Sequence, residues 1–145
     1  MSQLEEKTIR TEHIFSGRVV SLQVDEVELP NGKTSKREIV KHPGAVAIIP
    51  ITDDQKIVMV EQYRKALERE IIEIPAGKLE KGESPEHTAM RELEEETGYT
   101  CKELYPLISF YTSPGFCDEI VHLYAAKGLQ KMDEKAELDE DEFVN

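Results

Sequence analysis

Between Gly77 and Tyr99 the sequence GKLEKGESPEHTAMRELEEETGY crowds Glu92, Glu94, Glu95 and Glu96 into one short segment. On a helix turning roughly 100° per residue, Glu95, Glu92 and Glu96 share an arc of roughly 100°, with Glu94 and Arg91 on the other side. Like charges at these spacings repel and weaken the helix. A cation bound among them reverses that sign. Carboxylates are hard oxygen donors and suit Mg²⁺ or Mn²⁺, which keep several waters and leave positions for substrate phosphates. The turn Pro75-Ala76-Gly77 leads back toward the same region, where a backbone carbonyl can add a ligand. The competing reading is a solvated acidic helix face.

The elements that would position these carboxylates are readable around them. Ser84-Pro85 opens a helix, since serine is a good N-cap and proline suits the first turn. Gly98 is a good C-terminal stop. Between them Glu86, Ala89, Met90, Leu93 and Thr97 form one stripe, and its three apolar members are expected to face a sheet. Upstream, Val19–Leu29 reads as a strand with a break near Asp25, and Pro30-Asn31-Gly32 as a hairpin turn into a return strand over Thr34–Lys41. Ala45–Ile51 and Ile57–Val60 are apolar runs of the kind buried on both faces of a sheet. The second continues into Glu61-Gln62-Tyr63-Arg64. Ile71–Ile74 is a short strand stopped by Pro75-Ala76-Gly77, and Leu104–Tyr111 and Ile120–Ala126 are two more, joined through Ser113-Pro114-Gly115-Phe116. The acidic run Met132–Glu142 is read as starting in a loop. Strands, one central helix and further strands make an α+β pattern with a mixed sheet.

The whole chain bounds the function. At 145 residues, 39% hydrophobic and 33% charged, it suits one soluble globular domain over 1–145. A net charge of −12 makes it a poor general partner for nucleic acid. No apolar run approaches membrane-spanning length, and the N-terminal residues lack the pattern of a secretory signal. Cys101 and Cys117 do not make a disulfide framework, so a reducing, cytoplasmic compartment is expected. His13, His42, His87 and His122 show no zinc spacing, and no Gly-rich phosphate loop occurs.

The central stretch resembles the Nudix box, G-x5-E-x7-R-E-U-x-E-E-x-G-U, where U is a bulky apolar residue. Gly77, Glu83, Arg91, Glu92, Leu93, Glu95, Glu96, Gly98 and Tyr99 fill its nine specified positions, Tyr99 being the loosest fit. The resemblance implies a Nudix-type α/β/α sandwich with a mixed sheet and a loop–helix–loop catalytic motif. It implies hydrolysis of a nucleoside diphosphate linked to another group, with Mg²⁺ or Mn²⁺. Glu92, Glu95 and Glu96 would hold metal, with the Ala76 carbonyl. Arg91 would orient the glutamates, and Glu83 would brace the loop–helix–loop.

Beyond the box the chain is similar to the ADP-ribose pyrophosphatase subfamily. Its marker, a proline sixteen residues past the box glycine Gly98, is Pro114. Arg37-Glu38-Ile39-Val40-Lys41-His42-Pro43-Gly44, Gln62-Tyr63-Arg64 and Glu73-Ile74-Pro75-Ala76-Gly77 extend the similarity. It implies a pyrophosphate contact at Arg64, an adenine-side contact at Arg37, and substrate contacts at Glu38, Leu79, Pro114, Gly115 and Phe116. An arginine forks onto phosphate oxygens and stacks on π faces, so both arginine roles suit its chemistry. Glu142, before Phe143-Val144, matches a water-activating glutamate, with Glu140 in reserve and a box glutamate as the other candidate base. Residues 1–42 are expected to exchange strands in a homodimer. Related enzymes continue past the position of Asn145 with another strand and a closing helix. Either the sequence is cut short there or that element is absent. The expected reaction is ADP-ribose to AMP and ribose 5-phosphate. Another nucleotide substrate, or nucleotide sensing without catalysis, are the alternatives.

Overall fold

The computed structural model describes residues 2–134, 138 and 143–145. Its backbone divides into two compact units, Met1–Gly44 with Tyr111–Ile120, and Ala45–Phe110 with Val121–Asn145.

The first unit is built on a three-stranded antiparallel sheet of β1 (Lys7–Ser16), β2 (Ser21–Glu28) and β3 (Thr34–Lys41), in that order. The expected hairpin is β2–β3, closed at Leu29–Lys33 by the Leu29 N–H on the Lys33 carbonyl at 2.7 Å. β2 runs through Asp25 without the expected break. Asp25 is buried, receives the Gln23 side-chain amide at 3.0 Å, and is paired on both sides, with Thr11 and Arg37. β1 is a whole strand that the sequence pattern does not announce. Every one of its residues is exposed, so no burial imposes an apolar alternation on it.

The second unit holds a four-stranded sheet in the order β7–β4–β9–β8 and a hairpin, β5 (Val60–Arg64) with β6 (Arg69–Glu73). β4 (Ala45–Pro50) is central. It pairs parallel with β9 (Ile120–Lys131) and antiparallel with β7 (Ala76–Lys78), so the sheet is mixed. β8 covers Tyr99–Tyr111. Among the described residues the one helix is α1 (Pro85–Thr97). Its Ala89 and Leu93 close a core with Val46 and Ile48 of β4 and Tyr124 and Ala126 of β9. At about 25 cal/mol per Å² of apolar surface, side chains the size of Val46, Ile48 and Leu93 contribute roughly 1.5–3 kcal/mol each when fully buried, which fixes α1 to the sheet. The mixed sheet, the loop–helix–loop and the N-terminal antiparallel strands are therefore all present.

Two differences from the sequence reading bear on the site. The run Ile57–Val60 is not a strand buried on both faces. Only Val60 is buried, while Ile57 and Met59 are exposed beyond the turn that Thr52 and Lys56 close. And Pro75-Ala76-Gly77 does not merely stop a strand. The Pro75 carbonyl accepts the Ile48 N–H at 2.9 Å, and the next three residues form β7 against β4. No described helix is long and apolar enough to cross a membrane.

Candidate active site

Helix α1 starts and ends where its punctuation dictates. The Ser84 hydroxyl accepts the His87 N–H at 3.2 Å, with Pro85 in the first turn. Gly98 takes φ 75°, a left-handed value that costs glycine little, and its N–H closes on the Glu94 carbonyl at 3.0 Å. The buried face is Thr88, Ala89, Glu92, Leu93 and Glu96. It is rotated from the expected apolar stripe, and Glu86 is exposed. Two carboxylates thus lie on the side of the helix that faces protein.

Arg91 gathers the surrounding acids. Its Nε and Nη2 fork onto Glu83 at 3.0 Å each, while Nη1 donates to Glu92 at 3.1 Å and to both Glu95 oxygens at 3.1 and 3.2 Å. Although Arg91 was expected on the far side from the glutamate arc, it sits only roughly 40° from Glu95 around the helix, and its long stem covers that distance. Glu83, on the loop before the helix, also accepts the buried Thr88 hydroxyl at 3.1 Å. The charge-assisted fork from Arg91 holds the Glu83 carboxyl below the usual carboxylate range. The same hydrogen bonds push the Arg91 guanidinium further up, against the opposing effect of its partial burial.

β7 supplies the other wall. The Ala76 N–H donates to Glu96 at 3.1 Å, and Glu92 lies against Gly77 so closely that a Cβ at residue 77 would overlap its side-chain carbons and carboxylate. Glycine at 77 is therefore a packing requirement set by Glu92. Gly77→Ala is expected to displace the Glu92 carboxylate and to lower stability by about 1–3 kcal/mol, the usual range for an overpacked site. Thermal or urea denaturation measures this, and an unchanged midpoint would contradict the close approach.

The donor set can be tested against a divalent cation. Glu92 and Glu96 are only 7% and 5% exposed, and a buried carboxylate demands a cationic or hydrogen-bonding partner. Glu83, Glu92 and Glu95 outnumber the single guanidinium between them. Hard oxygens, excess negative charge and the adjoining β7 backbone fit a hard divalent ion. Among the described residues no three acidic or histidine side chains already form a closed metal-holding group, as Arg91 occupies the space between Glu83, Glu92 and Glu95.

The other expected residues fall in two groups. On the β5–β6 hairpin Arg64 is forked onto Glu73, Nε to Oε2 at 2.7 Å and Nη2 to Oε1 at 3.0 Å. Sequence spacing does not mark Glu73 as its partner, because the pairing crosses a hairpin. Leu79 is half-buried and packs against the core cluster. In the first unit Arg37 and Glu38 stand next to each other on β3, where alternation sends them to opposite faces. Arg37 forks onto Glu6 at 2.8 Å through both Nε and Nη2, an exposed pair. Pro114, Gly115 and Phe116 are exposed on a loop held to β3 by the Val40 N–H on the Phe116 carbonyl at 2.7 Å and a Val40–Cys117 bridge. Glu140 and Glu142 lie outside the described residues. Just beyond them, Asn145 and Glu61 of β5 exchange backbone hydrogen bonds at 2.9 and 3.0 Å.

With this geometry in place, residues 41–145 match the NUDIX domain, and residues 6–40 match the nucleoside diphosphate sugar hydrolase N-terminal domain. The chain is 74% identical over 141 residues to the methanol dehydrogenase activator of Bacillus methanolicus, covering 97% of this chain and 76% of that one. It is 69% identical over 144 residues to the ADP-ribose pyrophosphatase of Bacillus subtilis, covering 99% and 78%. Its fold superposes on the crystal structure of an ADP compounds hydrolase with a TM-score of 0.86 at 24% identity, over 100% of this chain and 78% of that chain.

Proposed function

The chain belongs to the NUDIX family, and on that premise we propose that it hydrolyses the pyrophosphate of ADP-ribose to AMP and ribose 5-phosphate. The observation that carries this reading is the 69% identity, along nearly the whole chain, to an ADP-ribose pyrophosphatase.

Glu92, Glu95 and Glu96, with the Ala76 carbonyl, would hold Mg²⁺ or Mn²⁺. When bound, such an ion neutralises the diphosphate and lowers the pKa of water for attack on phosphorus. Arg91 keeps the carboxylates oriented while remaining charged at any working pH. Arg64, oriented by Glu73, contacts the pyrophosphate, whose oxygens match the planar geometry of a guanidinium. Arg37 and Glu38 serve the adenine side, and Leu79, Pro114, Gly115 and Phe116 the rest of the substrate. Glu142 takes the proton of the attacking water, with Glu140 in reserve. Residues 1–145 act as a single NUDIX unit, in the cytoplasm, as a homodimer that exchanges strands of residues 1–42. A solution mass of one chain would remove the dimer.

The deciding assay is turnover of ADP-ribose with Mg²⁺ or Mn²⁺, with AMP as product and loss of rate on chelation. No turnover in either metal would sink the proposal. A panel of other nucleotide sugars, dinucleotides and oxidised nucleotides compares kcat/KM and exposes a different preferred substrate. Tight ADP-ribose binding without hydrolysis in the presence of metal would point to a sensor.

A second reading rests on the 74% identity to a methanol dehydrogenase activator. The chain would then raise the activity of a partner dehydrogenase. Adding it to purified methanol dehydrogenase and finding no change in rate removes that reading.

A further inference from the structure

His42 follows the end of β3 and is nearly enclosed, its side chain only 13% exposed. Its Nδ1 accepts the Gly44 N–H at 3.0 Å. A ring nitrogen that accepts has no proton, so the neutral ring carries its N–H on Nε2. Nε2 faces Glu119 Oε2 at 3.3 Å, and the other Glu119 oxygen accepts the Thr112 hydroxyl at 2.8 Å. The backbone N–H of His42 donates to Asp118 Oδ1 at 2.8 Å, and Lys41 Nζ lies 3.6 Å from Asp118 Oδ2. Asp118 in turn donates its own N–H to the Val40 carbonyl at 3.2 Å. One histidine and two acids thus bind both ends of the 112–119 connection, which carries Pro114 and Phe116, to the end of the strand that carries Arg37.

We propose that His42 is a positioning residue for substrate binding: clamped between the Gly44 N–H and the Glu119 carboxylate, it fixes the Pro114–Phe116 loop against β3 and so sets affinity for the nucleoside diphosphate sugar. The inference rests on the proposed hydrolysis of ADP-ribose for its kinetic consequence. Its structural part stands on the hydrogen bonds and the 3.3 Å contact between His42 and Glu119. None of these groups belongs to the carboxylate cluster on α1, so loosening the clamp should spare the chemical step. An effect on binding without one on turnover separates positioning from general damage.

The test combines His42→Ala, Glu119→Ala and Glu119→Gln with two readouts. In the first, KM for ADP-ribose should rise about tenfold in either alanine variant, the factor expected for one lost hydrogen bond and one lost polar contact, with kcat within about twofold of wild type. The double alanine variant should be little worse than either single one, since the two groups act through one contact. Glu119→Gln should stay near wild type. Its amide oxygen can accept from Nε2–H while its NH₂ donates to the Thr112 hydroxyl oxygen. In the second readout, amide exchange at Val40 and Asp118 should quicken by about tenfold in the alanine variants, while α1 amides are unchanged. Unchanged KM and unchanged exchange overturn the proposal, as does a fall in kcat matching the rise in KM, or a Glu119→Gln variant as impaired as Glu119→Ala. If the wild-type protein does not turn over ADP-ribose, the functional reading falls, and the exchange measurement still decides whether His42 fixes the loop.

Discussion

Glu96→Gln is expected to lower metal-dependent turnover of ADP-ribose by roughly 10³-fold while leaving the thermal midpoint close to that of wild type. The fold should tolerate the change for a local reason. Glutamine has the shape of glutamate, and its amide oxygen can still accept the Ala76 N–H that Glu96 receives at 3.1 Å. What is lost is one negative charge and one hard donor at a site with only 5% exposure, where water cannot take over either task. A metal contributes several kcal/mol of charge stabilisation in phosphoryl transfer, and each ~1.4 kcal/mol is tenfold in rate. Losing about 4 kcal/mol of that therefore costs about three decades. The measurement is kcat across a titration of Mg²⁺ or Mn²⁺, beside a thermal melt. Glu94→Gln is the control, since Glu94 lies off the carboxylate arc. Wild-type kcat in Glu96→Gln would remove Glu96 from the metal site.

The parts of this site that are contiguous in the chain were legible in the sequence, and those assembled across strands were not. Ser84 and Gly98 bound α1 because capping is a local transaction between a side chain and backbone within one turn. The glutamate cluster was visible for the same reason, as a fixed spacing on one helix. The orientation of that helix was less visible. An apolar stripe led to Ala89, Met90 and Leu93, whereas the buried face includes Thr88, Glu92 and Glu96. Hydrophobicity alone does not predict a buried carboxylate; burial is made tolerable by the Ala76 N–H on Glu96, from another strand, and by Arg91 Nη1 on Glu92. β1 left no pattern, as a fully exposed strand needs none. β7 was hidden because three residues cannot show a period of two, and its existence is decided by the edge of β4. The Arg64–Glu73 fork required the register of β5 against β6, which no spacing encodes. So the reaction type was readable from one helix, while the groups that orient Arg37 and Arg64 emerged only with the strands.

Arg91→Ala should be among the most damaging single changes in stability, by about 3 kcal/mol, and should also reduce turnover by at least about tenfold. Arg91 is not at the surface in the usual sense: 23% of its side chain is exposed, and Glu83 and Glu92 are 15% and 9% exposed. Removing it takes the shared guanidinium from three carboxylates, Glu83, Glu92 and Glu95, within a poorly hydrated space. Breaking a buried ion pair from one side costs about 3–5 kcal/mol, and the partial exposure here puts the expectation at the lower end. For a chain of this size that is a fall of roughly 6–12 °C in Tm. Arg91→Lys should recover the charge and only part of the stability, because one ammonium cannot fork onto Glu83 while also reaching Glu95. Acid supplies an independent check on the same contact. The folded-state pKa of Glu83 is lowered by Arg91, so the stability it contributes is fully present above the ordinary carboxylate value, about 4.3, and is lost as pH falls through the depressed folded value. Wild-type protein should therefore lose stability below about pH 4.3. Arg91→Ala should show a shallower slope over that range, since the largest cause lowering the Glu83 carboxyl in the folded state is then gone. Equal acid slopes in the two proteins, together with equal midpoints at neutral pH, would mean that the fork seen between Arg91 and Glu83 does not carry the loop–helix junction, and that Glu92 and Glu95 are oriented by something else.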